Sequence, residues 1–66
     1  MKVRIKRPFH LAGPRRGQLV ADMTGDPVEV RKQGELHYLL LPDGLLWMTA
    51  DELKHHIDTW NLEVLP

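Results

Sequence analysis

The sequence predicts a mainly β (α+β) fold: one small antiparallel barrel or bent sheet of about five strands, with a C-terminal helix over about 50–60 and a short last strand. Three observations carry this expectation. Apolar and polar residues alternate in short runs, as where Val3 and Ile5 sit between Lys2, Arg4 and Lys6. Gly- and Pro-rich turn signals separate the runs at roughly eight- to twelve-residue intervals. A single helix-start signature, Thr49-Ala50-Asp51-Glu52, precedes one stretch with helical spacing.

Taken in order, residues 2–6 place Val3 and Ile5 on one face and three cations on the other, the pattern of a half-buried strand. Pro8 ends that strand or marks an edge. Residues 9–18 read as a loop in which Gly13-Pro14 and Gly17 bracket Arg15-Arg16, while Phe9 and Leu11 pin the segment to the core. A second strand is expected over 18–23, then a turn at Thr24-Gly25-Asp26-Pro27, a strand from Val28 to Arg31, and a turn at Gln33-Gly34.

The best-defined element is the hairpin at 36–48. In its turn, Leu41-Pro42-Asp43-Gly44-Leu45, Pro42 pre-sets φ, Asp43 bonds back to nearby backbone, and Gly44 takes a positive φ. Read as a three-residue loop, it pairs Leu41 with Leu45, Leu39 with Trp47 and His37 with Thr49. One face then carries Leu39, Leu41, Leu45 and Trp47, and the other Leu36, Tyr38, Leu40, Leu46 and Met48. Both faces are apolar, whereas an antiparallel hairpin normally turns one face to water. Either the hairpin is covered on both sides, or one face docks on something outside the chain. A chain of 66 residues has little material for two covering layers, which favours docking.

Thr49 and Glu52 fit a capping box, and Asp51 and Glu52 suit the positive end of the helix dipole. Leu53, Ile57 and Trp60 recur on one helical stripe, with Lys54, His55 and Asp58 opposite. Asn61 stops the helix, and Leu62-Glu63-Val64-Leu65 alternates like a closing strand before Pro66.

Composition bounds the rest. The 66 residues form one domain, 1–66, with no cysteine to supply a disulfide or a thiolate metal site. Ser is also absent, which excludes Ser and Cys nucleophiles. No apolar run approaches the roughly 20 residues of a membrane span, and the N-terminal segment lacks a signal-peptide apolar region. The expectation is a cytoplasmic protein, and an Arg-over-Lys balance with a single Asn suits a GC-rich bacterial or phage genome.

Nine Lys and Arg balance nine Asp and Glu, yet the charges are unevenly placed. Residues 1–33 carry eight basic and three acidic side chains; residues 34–66 carry one basic and six acidic. The set Lys2, Arg4, Lys6, Arg7, Arg15 and Arg16 reads as a site for nucleic acid or an acidic partner. The competing reading is that the two halves face and neutralise each other within the fold.

From Asp43 through Leu53 the pattern resembles the end of a small SH3-like barrel, where a hairpin strand with a Trp runs into a short helix and a last strand. The basic first strand followed by a Gly/Pro loop at 8–17 resembles the opening of the same architecture. The resemblance is architectural and leaves a plain sheet-plus-helix domain open. Such folds serve protein docking and nucleic-acid binding alike.

Chemistry is sparse. His55 and His56 diverge on a helix and cannot chelate one ion together; His10 and His37 would have to join them, so no metal and no cofactor is expected. His55 is expected to face solvent and His56 to pair with Glu52. Asp43, Asp51 and Glu52 are explained by the turn and the helix start, so no catalytic residue and no small-molecule substrate is expected. Both tryptophans fit the core, with Trp60 the more exposed and a candidate interface residue. Two functions follow. The first is a non-catalytic regulator, phage- or plasmid-encoded, that docks on a larger protein or nucleoprotein, or on a second copy, through Leu39, Leu40, Leu41, Leu45, Leu46 and Trp60. The second is a nucleic-acid-binding module built on the basic first strand and the Arg15-Arg16 loop.

Overall fold

A computed structural model describes residues 1–11, 19–21, 24–42 and 44–66. The strands are β1 (Lys2–Ile5), β2 (Phe9–His10), β3 (Leu19–Val20), β4 (Val28–Gln33), β5 (Leu36–Leu41), β6 (Gly44–Thr49) and β7 (Leu62–Leu65), with helix α1 (Ala50–Asp58) between the last two. Arg15, Arg16, Asp43 and the Gly13-Pro14 and Gly17 turn signals lie outside the described residues.

Five strands form one antiparallel sheet in the order β6-β5-β4-β1-β7. Its edge strands, β6 and β7, do not pair with each other, so the sheet is open and does not close into a barrel. The segment expected as loop from residue 9 begins instead as β2, whose Phe9 and His10 pair with Val20 and Leu19 of β3. Burial explains this: Phe9, Leu11 and Val20 all enter the core and bring their backbones within pairing distance.

One face of the sheet is covered. Val3, Ile5, Val28, Val30, Leu39, Leu46, Met48 and Leu62 pack there against Leu53 of α1 and against Phe9, Leu11 and Val20. Each sheet residue sits at the alternate position its register dictates, as where Val3 faces Val28 and Ile5 faces Leu62. At the β4–β5 turn, Gln33 pairs with Leu36, and Gly34 at φ 62° supplies the left-handed residue that a two-residue hairpin loop requires.

Helix α1 starts as its sequence dictates. Glu52 N–H donates to Thr49 Oγ1 at 3.1 Å, and Thr49 N–H donates to Glu52 Oε1 at 2.9 Å, the two halves of the capping box. Thr49→Ala removes the acceptor for one of these, and a loss of about 1 kcal/mol is expected in urea denaturation. The helix is shorter than its expected span, ending at Asp58. No helix among the described residues is long and apolar enough to cross a membrane.

Candidate functional site

The hairpin register differs by one residue from the expected one. Leu41 pairs with Gly44, Leu40 with Leu45, Leu39 with Leu46, Tyr38 with Trp47, His37 with Met48 and Leu36 with Thr49. The connection is therefore a two-residue loop, not three. Because side chains alternate every residue, that slip exchanges the two faces of β6 while leaving β5 unchanged. The core face carries His37, Leu39, Leu41, Leu46 and Met48, and the solvent face carries Leu36, Tyr38, Leu40, Leu45 and Trp47.

Only part of the expected interface set is therefore accessible. Leu39 and Leu46 are buried in the core, at 0% and 4% exposure, and Leu41 packs against it half-buried. Leu40 and Leu45 face each other across the strands with 37% and 50% of their surface in water. Beside them the rings of Tyr38 and Trp47 stack tilted, with centroids 4.7 Å apart. The three-residue loop puts Tyr38 with Leu40 on one face and Trp47 with Leu45 on the other; the two-residue loop brings all four onto one face.

The same solvent face becomes charged toward the other edge. Arg31 on β4 lies opposite Tyr38, and Lys2 on β1 opposite Glu29. Arg4 is held twice: its Nε–H donates to Gly25 O at 2.8 Å and its second nitrogen reaches Glu63 Oε1 at 3.2 Å. Arg31 and Glu29 approach to 4.0 Å. Part of the basic first half is thus neutralised within the fold, through Arg4 and Glu63. The six-residue basic set is not one stripe: Lys2 and Arg4 are interleaved with Glu29 and Glu63, while Lys6 and Arg7 lie beyond the end of β1.

Lys6 and Arg7 are instead bound to the turn after α1. Lys6 N–H donates to Asn61 O at 2.9 Å, and the Arg7 guanidinium donates to Thr59 O. Between those acceptors stands Trp60, which is not part of the helical core stripe. It has φ 66° and 66% of its surface exposed. Trp60 N–H donates to Ile57 O at 3.1 Å and Asn61 N–H to His56 O at 2.9 Å, the pair of bonds that closes a helix with a left-handed residue. That position is usually glycine, and a residue with a Cβ costs about 1–2 kcal/mol there. Trp60 lies beside β1 and β7, at the opposite end of the strand order from Leu40 and Leu45, so the structure does not join it to the hairpin surface.

The fourth feature is a shallow open cleft of about 300 Å³ lined by His10, Asp51, Glu52, His55 and His56. His55 is exposed as expected, but His56 turns inward. Its ring lies on Phe9 with centroids 4.1 Å apart, and its Nδ1 accepts from the Asn61 side-chain amide at 3.0 Å. Burial, followed by the neighbouring His55, lowers the His56 pKa below its ordinary 6.5, against a smaller opposing pull from Glu52. Among the described residues no group of three His, Asp or Glu side chains is arranged to hold a metal ion. Comparison with protein-family models, curated proteins and solved structures gives no match to this chain.

Proposed function

We propose that this chain is a non-catalytic, cytoplasmic binding module that docks on a larger protein through the solvent face of its β5–β6 hairpin. The observation that carries the reading is the contiguous apolar surface of Leu36, Leu40 and Leu45 around the stacked Tyr38 and Trp47. Helix and β2–β3 ribbon both pack on the other side of the sheet, so within the described residues this surface has no covering layer. An aromatic pair ringed by leucines is the composition of an interface centre. The Arg31, Glu29 and Lys2 side of the same face would form its polar rim.

Several carboxylates already have structural work, which supports a non-catalytic role. Glu52 completes the capping box, Glu63 holds Arg4, and Asp58 holds Lys54 at 2.6 Å. The strand–helix–strand ending over 44–65 is of the kind SH3-like domains carry, and that fold accommodates docking without a pocket for a small substrate.

The test compares the wild-type chain with a Leu40→Asp/Leu45→Asp double variant, both tagged, in crosslinked pull-downs from cells of the source, alongside light scattering. A protein captured by the wild type and lost with the double variant, with Lys32→Glu still binding, is the expected result. Capture unchanged by the double variant overturns the proposal. A wild-type dimer that the double variant splits would make the occupant a second copy.

A further inference from the structure

We propose a second binding site, independent of the hairpin face, at the turn around Trp60: it takes single-stranded nucleic acid, stacking a base on the indole and placing neighbouring phosphates on Lys6 and Arg7. Three observations converge on it. A bulky aromatic occupies the one left-handed non-glycine position among the described residues, where glycine would close the helix without strain. Burial does not offset that strain, because two thirds of the residue is in water. And a backbone hydrogen bond from Lys6 to Asn61 O and a guanidinium bond from Arg7 to Thr59 O tie this cationic dipeptide to the two residues that flank Trp60.

The chemistry of the surroundings selects the ligand. A tryptophan that anchors a protein partner works inside a ring of contacts that excludes water. Trp60 has Thr59 and Asn61 as neighbours in the chain, and Lys6 and Arg7 are bonded across to those two neighbours, all of them polar. An exposed π-face with flanking cations is instead the element that proteins use to hold unpaired bases, since every base can stack and every nucleotide brings a phosphate. Nearby carboxylates do not cancel the field: Asp58 is paired with Lys54 and Glu63 with Arg4, while neither Lys6 nor Arg7 is ion-paired among the described residues. Duplex DNA is disfavoured, because its bases are already stacked and offer no face to the indole.

The left-handed turn also makes the site separable from stability. Trp60→Gly removes the stacking face and relieves the backbone at once, so the variant is expected to melt higher than the wild type and to bind less. The measurement is a fluorescence-anisotropy titration in which the full chain is added to a dye-labelled short oligothymidylate, an equal length of labelled duplex, and labelled polyglutamate, at about 50 and about 200 mM salt. Expected are a rise in anisotropy of the single strand and a slope of log K against log salt near −1.4, for about two phosphates. Trp60→Gly should lose on the order of ten- to a hundred-fold in affinity, and Trp60→Phe should keep most of it. Lys6→Gln should flatten the salt slope. Absence of single-strand binding at the lower salt overturns the proposal, as does full affinity in Trp60→Gly. Polyglutamate binding with the same dependence on Trp60 would assign the site to an acidic protein instead.

Discussion

Leu39→Asp is expected to leave no folded protein at room temperature, while Leu40→Asp, one residue further on, is expected to fold and to lose docking. The two leucines are chemically identical neighbours on β5, and register alone separates them. Leu39 is wholly buried opposite Leu46, among Val30, Met48 and Leu53. Removing a buried leucine side chain costs about 2–5 kcal/mol, and an unpaired carboxylate in its place adds a further desolvation cost. A domain of this length has a total stability of about 3–10 kcal/mol, at the usual ~0.05–0.15 kcal/mol per residue. Leu40 meets solvent, where such a change is usually within about 0.5 kcal/mol. Circular dichroism and urea midpoints on both variants decide the matter. Two unfolded variants would put both sides of the hairpin in the core, and two folded ones would overturn the register.

Falling pH should destabilise the protein by way of His56. In the folded state its ring lies on Phe9 and its Nδ1 accepts a hydrogen bond from the Asn61 side-chain amide, an arrangement that suits the neutral imidazole. Protonation would turn that acceptor into a donor facing another donor, in a site with little water. The sign follows from the lowered pKa. Above 6.5, the ordinary value, the imidazole is neutral in both states and contributes no pH dependence. As pH falls below it the unfolded chain takes up the proton first, so stability drops until the folded-state pKa is passed. The groups around the cleft modulate this. His55 acts on His56 in the same direction as burial and Glu52 against it, while His10 and Asp51 line the same cleft. Urea midpoints between about pH 7 and pH 5 should fall for the wild type. His56→Phe, which keeps a ring against Phe9, should flatten most of that fall. An equal decline in both would move the acid sensitivity to other groups.

Much of the fold was legible because local signals agreed with the tertiary structure. The capping box reads directly from Thr49 and Glu52, and the alternation of Val3 and Ile5 gives both the strand and its buried face. The hairpin register was not legible, and the reason lies in its composition. Leu39, Leu40 and Leu41 run consecutively opposite Leu45 and Leu46, so no polar residue marks the solvent side, and the Pro42-Asp43-Gly44 turn accepts more than one loop length. Trp60 was misplaced for a different reason. Its spacing from Leu53 and Ile57 fits the stripe, but the helix ends at Asp58 and the positive φ turns the indole away. His56 was hidden by being adjacent to the solvent-facing His55, since only the path of Phe9 across the helix reveals which imidazole is covered.

The strand order also sets when this protein can become itself. β1 lies inside the sheet, between β4 and β7, and its Lys2 and Ile5 pair with Leu65 and Leu62. β1 is therefore completed by a strand from the far end of the sequence, β7. Val3 and Ile5 stay unpaired on one side until residues 62–65 reach them. Folding is slowed by the loop entropy of joining these distant segments. Because the same pairing holds the two segments side by side, a circular permutant that links them with a short connector and opens the chain at the Gly34 turn would convert that slow closure into a local hairpin.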